Sequence, residues 1–106
     1  MELQIENRFW IKTSDGTIMG EGRATLLEHI DQTGSIKDAA QKMDMPLEKA
    51  NKLVEVMNSA SPELVLNLDN SPVTLTDYAR RLIRSYRRIQ TESREQMNSS
   101  LQSNMG

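Results

Sequence analysis

Residues 34–58 read GSIKDAAQKMDMPLEKANKLVEVMN, and this stretch decides the fold. It divides into two short helices joined by a tight turn. Ser35 is placed to cap the first helix, with Asp38 three residues on in the position of a capping-box acid. Ile36, Ala39, Ala40 and Met43 then share one helical face, and the small Ala39–Ala40 pair lets a second helix cross closely. Asp44 falls in the turn, where a left-handed backbone is needed; Gly suits that conformation best and Asp tolerates it at some cost. Pro46 suits the first position of the next helix, because its missing N–H has no intrahelical partner there. Ala50, Leu53, Val54 and Met57 make the inner stripe of that second helix. Two helices closed by so short a turn form a helix-turn-helix.

Upstream, residues 4–12 (QIENRFWIK) carry Ile5, Phe9, Trp10 and Ile11 and predict a strand. Ser14-Asp15-Gly16 is a turn signal, and Thr17-Ile18-Met19 a second short strand pairing back on the first. Gly20 and Gly22 break the extended chain. Residues 23–32, with Ala24, Leu26, Leu27 and Ile30 on one face, predict an amphipathic helix that Gly34 ends. His29, the only histidine, lacks the convergent partners that a ligand or base needs and is read as a surface or packing residue.

Downstream, residues 59–62 (SASP) break the second helix, residues 63–67 predict a strand, residues 69–72 (DNSP) a turn and residues 73–75 a return strand. Three helices followed by a hairpin make a winged helix-turn-helix. Thr76 caps a long last helix in which Leu75, Tyr78, Ala79, Leu82, Ile83, Tyr86 and Ile89 keep a three/four spacing. The seam fades past Gln90. The expected fold class is mainly α with a small β component: a winged helix-turn-helix with an N-terminal strand pair and a long C-terminal dimerisation helix. Its domain spans residues 1–90, and residues 91–106 are expected to be a fraying helix end or disordered tail.

Length and composition bound the function. A chain of 106 residues suits one domain with a modest core. Without cysteine there are no disulfides and no thiolate metal sites. No signal peptide or membrane-spanning run is expected, which points to a cytoplasmic protein. Met43, Met45 and Met57 are read as core filler. The net charge of −2 is unevenly spread. Residues 1–34 hold six acids against three bases, and residues 35–59 four of each. Residues 76–90 set Asp77 against Arg80, Arg81, Arg84, Arg87 and Arg88. Arg80, Arg84 and Arg87 share one helical stripe; Arg81 and Arg88 share another. They either grip DNA flanks or, the favoured reading, edge a dimer helix and pair with acids of the partner chain.

Three stretches together resemble a known family: LLEHIDQTGSIKDAAQKMDM, then KANKLVEVMN, then LTDYARRLIRSYRRI. They are similar to the N-terminal DNA-binding domain of ModE-type molybdate-responsive transcription regulators, and more distantly to LysR-type regulators. FWIKTSDGTIMGEGR looks like the lead-in strand pair of stand-alone members, and the resemblance covers about residues 8–90. It implies a winged helix-turn-helix dimerised through the long terminal helix, with the second helix of the pair in the major groove. The chain departs from the pattern at Pro46-Leu47-Glu48-Lys49-Ala50-Asn51, where relatives carry Ser with polar, aromatic and basic residues, and in a wing without positive charge. It also stops where the molybdate-binding domain would begin, so no molybdate sensor is expected.

The leading functional reading is therefore a homodimeric DNA-binding transcriptional regulator whose recognition helix spans about residues 46–58. Leu47, Glu48, Lys49, Asn51 and Lys52 are the candidate base readers; Glu accepts from cytosine N4 and Asn pairs with adenine. Ser35, Lys37, Lys42 and Lys52, with Asn70 from the wing, are candidate phosphate contacts. Tyr78, Leu82, Ile83, Tyr86 and Ile89 are the candidate dimer interface, in a parallel or antiparallel helix contact. The alternative is a winged-helix protein–protein interaction module, with another regulatory protein as partner and little or no DNA affinity. No cofactor or metal is expected, and an enzyme is the weakest class: there is no phosphate-cradling Gly loop and no evident carboxylate pair.

Overall fold

The computed structural model describes residues 8–105. Strand β1 (Ile11–Thr13) pairs antiparallel with β2 (Gly16–Met19), Ile11 opposite Met19 and Thr13 opposite Gly16. The predicted strand over residues 4–12 is thus shifted. Residues 4–7, with Ile5, lie outside the described residues, and Arg8, Phe9 and Trp10 precede the strand. Trp10 instead lies across Gly20, where an added Cβ would come within 2.7 Å of its ring. Gly22 meets no such neighbour and sits inside the next helix rather than breaking the chain.

Helix α1 (Glu21–Thr33) ends at Gly34, which is left-handed (φ 73°) and donates its N–H to Ile30. Ser35 caps α2 (Ile36–Lys42) as its position predicts, its Oγ accepting from Asp38 N at 3.1 Å. The reciprocal half of a capping box is replaced: Ser35 N donates to Thr33 Oγ1. Asp44 is left-handed at φ 52°, the only non-glycine with positive φ among the described residues. Helix α3 (Leu47–Ala60) takes Pro46 as its N-cap residue, one place earlier than expected, and runs through Ser59 and Ala60 before stopping at Ser61.

The wing is shorter than its apolar run suggests. Strand β3 is Leu66–Asn67 and β4 is Thr74–Leu75, with Leu66 opposite Leu75. Residues 63–65 leave the ladder for a physical reason. Asn58, in the last turn of α3, accepts from Val65 N (2.8 Å) and Leu66 N (3.1 Å) through Oδ1. Backbone donors that a longer strand would offer to its neighbour are held by the helix instead. At the far end, Val73 N donates to Gly34 O at 3.0 Å, and an added Cβ on Gly34 would lie 2.6 Å from the Pro72 Cβ. The hairpin is keyed into the α1–α2 turn.

Thr76 caps α4 (Asp77–Met105) by accepting from Ala79 N at 3.1 Å, while its own hydroxyl donates to Leu64 O at 2.7 Å. The helix runs on past the point where its apolar seam fades, and residues 91–105 of the expected fraying end or tail are helix to Met105. At about 1.5 Å per residue such a helix is roughly 43 Å long, which explains principal extents of 54 × 29 × 20 Å.

One core joins these pieces: Met19, Leu26, Leu27, Ile30, Val54, Met57, Val65, Leu66 and Tyr86 are fully covered. Ala39, Ala40 and Ala50 are buried where α2 and α3 cross, as small residues allow. Tyr86 stacks on Phe9 with ring centroids 4.7 Å apart, and its hydroxyl donates to Phe9 O. Here the structure corrects the expected dimer interface. Ile83 and Tyr86 are 9% and 1% exposed, covered by their own chain, whereas Tyr78 and Leu82 are half-buried and Ile89 is 48% exposed. The periodic seam grades outward: Ala79, Ile83 and Tyr86 are buried, Tyr78 and Leu82 pack half-buried against the core, and Ile89 is exposed.

Candidate nucleic-acid interface

The free surface of the helix pair is the start of α3. Ala50, Val54 and Met57 hold the helix from behind with essentially no exposure, and Leu53 is half-buried beside them. That anchoring turns Leu47, Glu48, Lys49, Asn51 and Lys52 outward, and all five are exposed. Leu47 is 42% exposed, large for a leucine with a core nearby. Lys37 and Lys42 on α2 are also exposed, and Ser35 is half-buried because its hydroxyl is engaged in the cap. Asn70, at the tip of the wing, is exposed and donates through Nδ2 to Thr74 Oγ1 at 3.4 Å. Every candidate contact residue except the half-buried Ser35 is thus exposed.

Charge is arranged differently from the expectation. Two arginines of α4, Arg80 and Arg87, pair inside their own chain with acids of α1. Arg80 makes two bonds to Asp31, at 2.8 and 2.9 Å. Arg87 reaches Glu28 at 2.7 Å and Glu21 at 2.6 Å, and bonds Thr25 and Gln90 as well. The hydrogen bond to Glu28 raises the Arg87 pKa, and the hydrogen bond from Gln90, helped by Arg87, lowers that of Glu21 against the opposing effect of burial. Arg81 approaches Glu63 at 3.9 Å and Arg88 pairs with Glu92 one turn on. Arg84 has no ion pair among the described residues. The same holds for Arg8, Lys12, Arg23 and Arg94, and on the helix pair for Lys37, Lys42, Lys49 and Lys52. Asp38, Asp44, Glu48 and Glu55 are unpaired beside them, which leaves the face neutral in sum.

Two features carry the site without a sequence signal strong enough to show it. Asn58 ties the wing to α3, and Pro72 seats the wing on Gly34. An Asn near a helix end before a strand is a weak pattern. Thr13 adds a third tie, its Oγ1 donating to Ala60 O at 2.8 Å, so the N-terminal hairpin holds the C-terminal end of α3.

Comparison with known proteins finds no matching family model. It does find a relative. Over 90 residues, the chain is 33% identical to the "Molybdenum transport protein ModE" of Azotobacter vinelandii. This chain is similar to ModE. The match takes in 80% of this chain and 33% of the relative, so the chain spans about a third of the length of that protein. The ModE similarity agrees with the likeness visible in the helix pair and the start of α4.

Proposed function

We propose that the chain is a DNA-binding transcription regulator that reads duplex DNA as a homodimer, with the first two turns of α3 in the major groove. One observation carries the reading. The outward side of α3 is left bare by its own chain while its inner side is fully packed, and the unpaired lysines of α2 and α3 flank it. Lys37, Lys42, Lys49 and Lys52 fit phosphate contacts and Asn51 and Glu48 fit base edges. The similarity to ModE over the same residues supports the reading. Among the described residues no helix is long and apolar enough to cross a membrane, and we place the action of the chain in the cytoplasm.

The test is fluorescence anisotropy of the full chain on labelled genomic duplexes across a salt series. With four candidate lysines per protomer, log K is expected to fall with log salt at a slope of about −3 to −4 per bound protomer. A Kd at low salt no tighter than that of a neutral control protein would overturn the proposal. A second reading, a winged-helix module that docks on another regulatory protein, is favoured by Leu47, Leu64 and Leu68, which are 42%, 56% and 49% exposed around a face with no net charge. Binding that survives high salt and needs no DNA favours this second reading.

A further inference from the structure

The wing shows apolar side chains to solvent on a backbone that is pinned. Leu64 and Leu68 are 56% and 49% exposed, and both line an open groove of about 470 Å³ whose floor is Leu66, itself 1% exposed. Asn67, Asp69 and Asn70 line the same groove. The main chain beneath the leucines is held from α3 and from the start of α4. Asn58 Oδ1 accepts from Val65 N and Leu66 N, Asn58 Nδ2 donates to Leu66 O at 3.5 Å, and Thr76 Oγ1 donates to Leu64 O. A partner therefore meets leucines already in place and loses little to ordering them.

Charge says what kind of partner fits. From Leu53 to Ala79 the chain carries Glu55, Glu63, Asp69 and Asp77, and no lysine, arginine or histidine. Glu63 lies 3.9 Å from Arg81 in an exposed pair, whereas Asp69 has no ion pair among the described residues. A wing that gripped a phosphate backbone would need cations at this place. This one sets a free carboxylate beside two leucines instead.

We propose that the groove beside the wing docks an extended segment of a partner protein, one that carries an apolar side chain next to a lysine or arginine. The apolar side chain covers Leu64 and Leu68, and the cation faces Asp69. The side-chain amides of Asn67 and Asn70 offer neutral donors and acceptors to the main chain of the segment. Two leucines and one acid make a small contact, which belongs to the weak and transient class. The wing would serve in this way whether α3 meets DNA or protein.

Random dodecapeptides displayed on phage and selected on the full chain provide the test. Enriched peptides are expected to hold Leu, Ile, Val or Phe beside Lys or Arg. One of them, synthesised with a fluorescent label, is then titrated with the chain and with two variants. Leu68→Ser is expected to weaken binding about three- to ten-fold, since about half of Leu68 is left for a partner to cover. Asp69→Asn is expected to weaken it about two-fold at low salt and not at high salt. Both residues are exposed, so both variants are expected to fold, which the urea midpoint checks. No enrichment, enrichment of sequences without a basic residue, or undiminished binding of the labelled peptide to the Leu68→Ser chain overturns the proposal. The same variant separates the groove from the DNA reading. Leu68→Ser is expected to leave duplex binding by anisotropy within about two-fold. A loss there equal to the loss for the peptide puts the wing on DNA, which overturns the proposal and leaves the DNA reading standing. Peptide binding as expected with no duplex binding supports the groove and defeats only the DNA reading.

Discussion

Asn58 holds the wing by its backbone. Its carboxamide oxygen takes two main-chain N–H groups, those of Val65 and Leu66, whose side chains are fully buried. Asn58→Ala would strand both donors, and the expected loss is about 1–3 kcal/mol of unfolding free energy, read from urea denaturation. Asn58→Asp keeps the acceptor and is expected to lose less. Gly34 is the second such position. A side chain there meets a left-handed backbone and the Pro72 ring together. Gly34→Ala is expected to cost about 1–3 kcal/mol, measured the same way, whereas Gly22→Ala, which meets open space within α1, is expected to be neutral or slightly stabilising. At this scale the sequence is most legible where cause and effect are neighbours. The Ser35 cap, the Asp44 turn, the Gly34 stop and the Thr76 cap are all visible, because each bonds or bends within a few residues of itself. Asn58 and the Gly34–Pro72 contact are not, because their partners arrive from a different part of the chain.

Among elements, α1 and α4 are joined by a ladder of acids and arginines. Glu21 is held below its ordinary pKa, first by the hydrogen bond from Gln90 and then by Arg87. A carboxyl with a lowered folded-state pKa stabilises the fold above its unfolded value, here near 4.5, and ceases to do so as pH falls through the lower folded value. The melting temperature is therefore expected to drop as pH falls below about 4.5, and Arg87→Met is expected to flatten that slope. The arginine run is plain in the sequence, but its partners are not: an arginine stripe beside an apolar seam fits contacts within one chain or between two. The structure pairs Arg80 and Arg87 within the same chain because α1 presents Glu21, Glu28 and Asp31 along one side. Helix α3 is the opposite case, since the burial of Ala50, Val54 and Met57 follows directly from their spacing. Lys49→Ala and Lys52→Ala are each expected to reduce the salt slope of DNA binding by about 1, and Asn51→Ala to weaken binding to the preferred duplex by about 1–3 kcal/mol, both measured by anisotropy.

For the whole molecule, the seam of α4 shows how far periodicity reaches. Seven apolar positions at three/four spacing say that a face is buried, not by what. The structure divides them: Leu75, Ala79, Ile83 and Tyr86 are buried, Tyr78 and Leu82 are half-buried against the core, and Ile89 is exposed. The continuation to Met105 was hidden because Ser and Asn are poor evidence for a helix on their own. If the open side pairs with a second copy, stability depends on protein concentration, and the melting temperature is expected to rise on going from micromolar to hundreds of micromolar chain. Ile89→Asp is expected to abolish that rise without unfolding the monomer, because Ile89 lies outside the core. Finally, the seating of Pro72 on Gly34 bears on how the surface meets anything large. The hairpin cannot swing as a loose flap, since Pro72 and Val73 are lodged against the bend from which α2 departs. A partner that presses on the wing thus tilts the helix pair by the same angle, and the chain approaches a curved target as one stiff wedge.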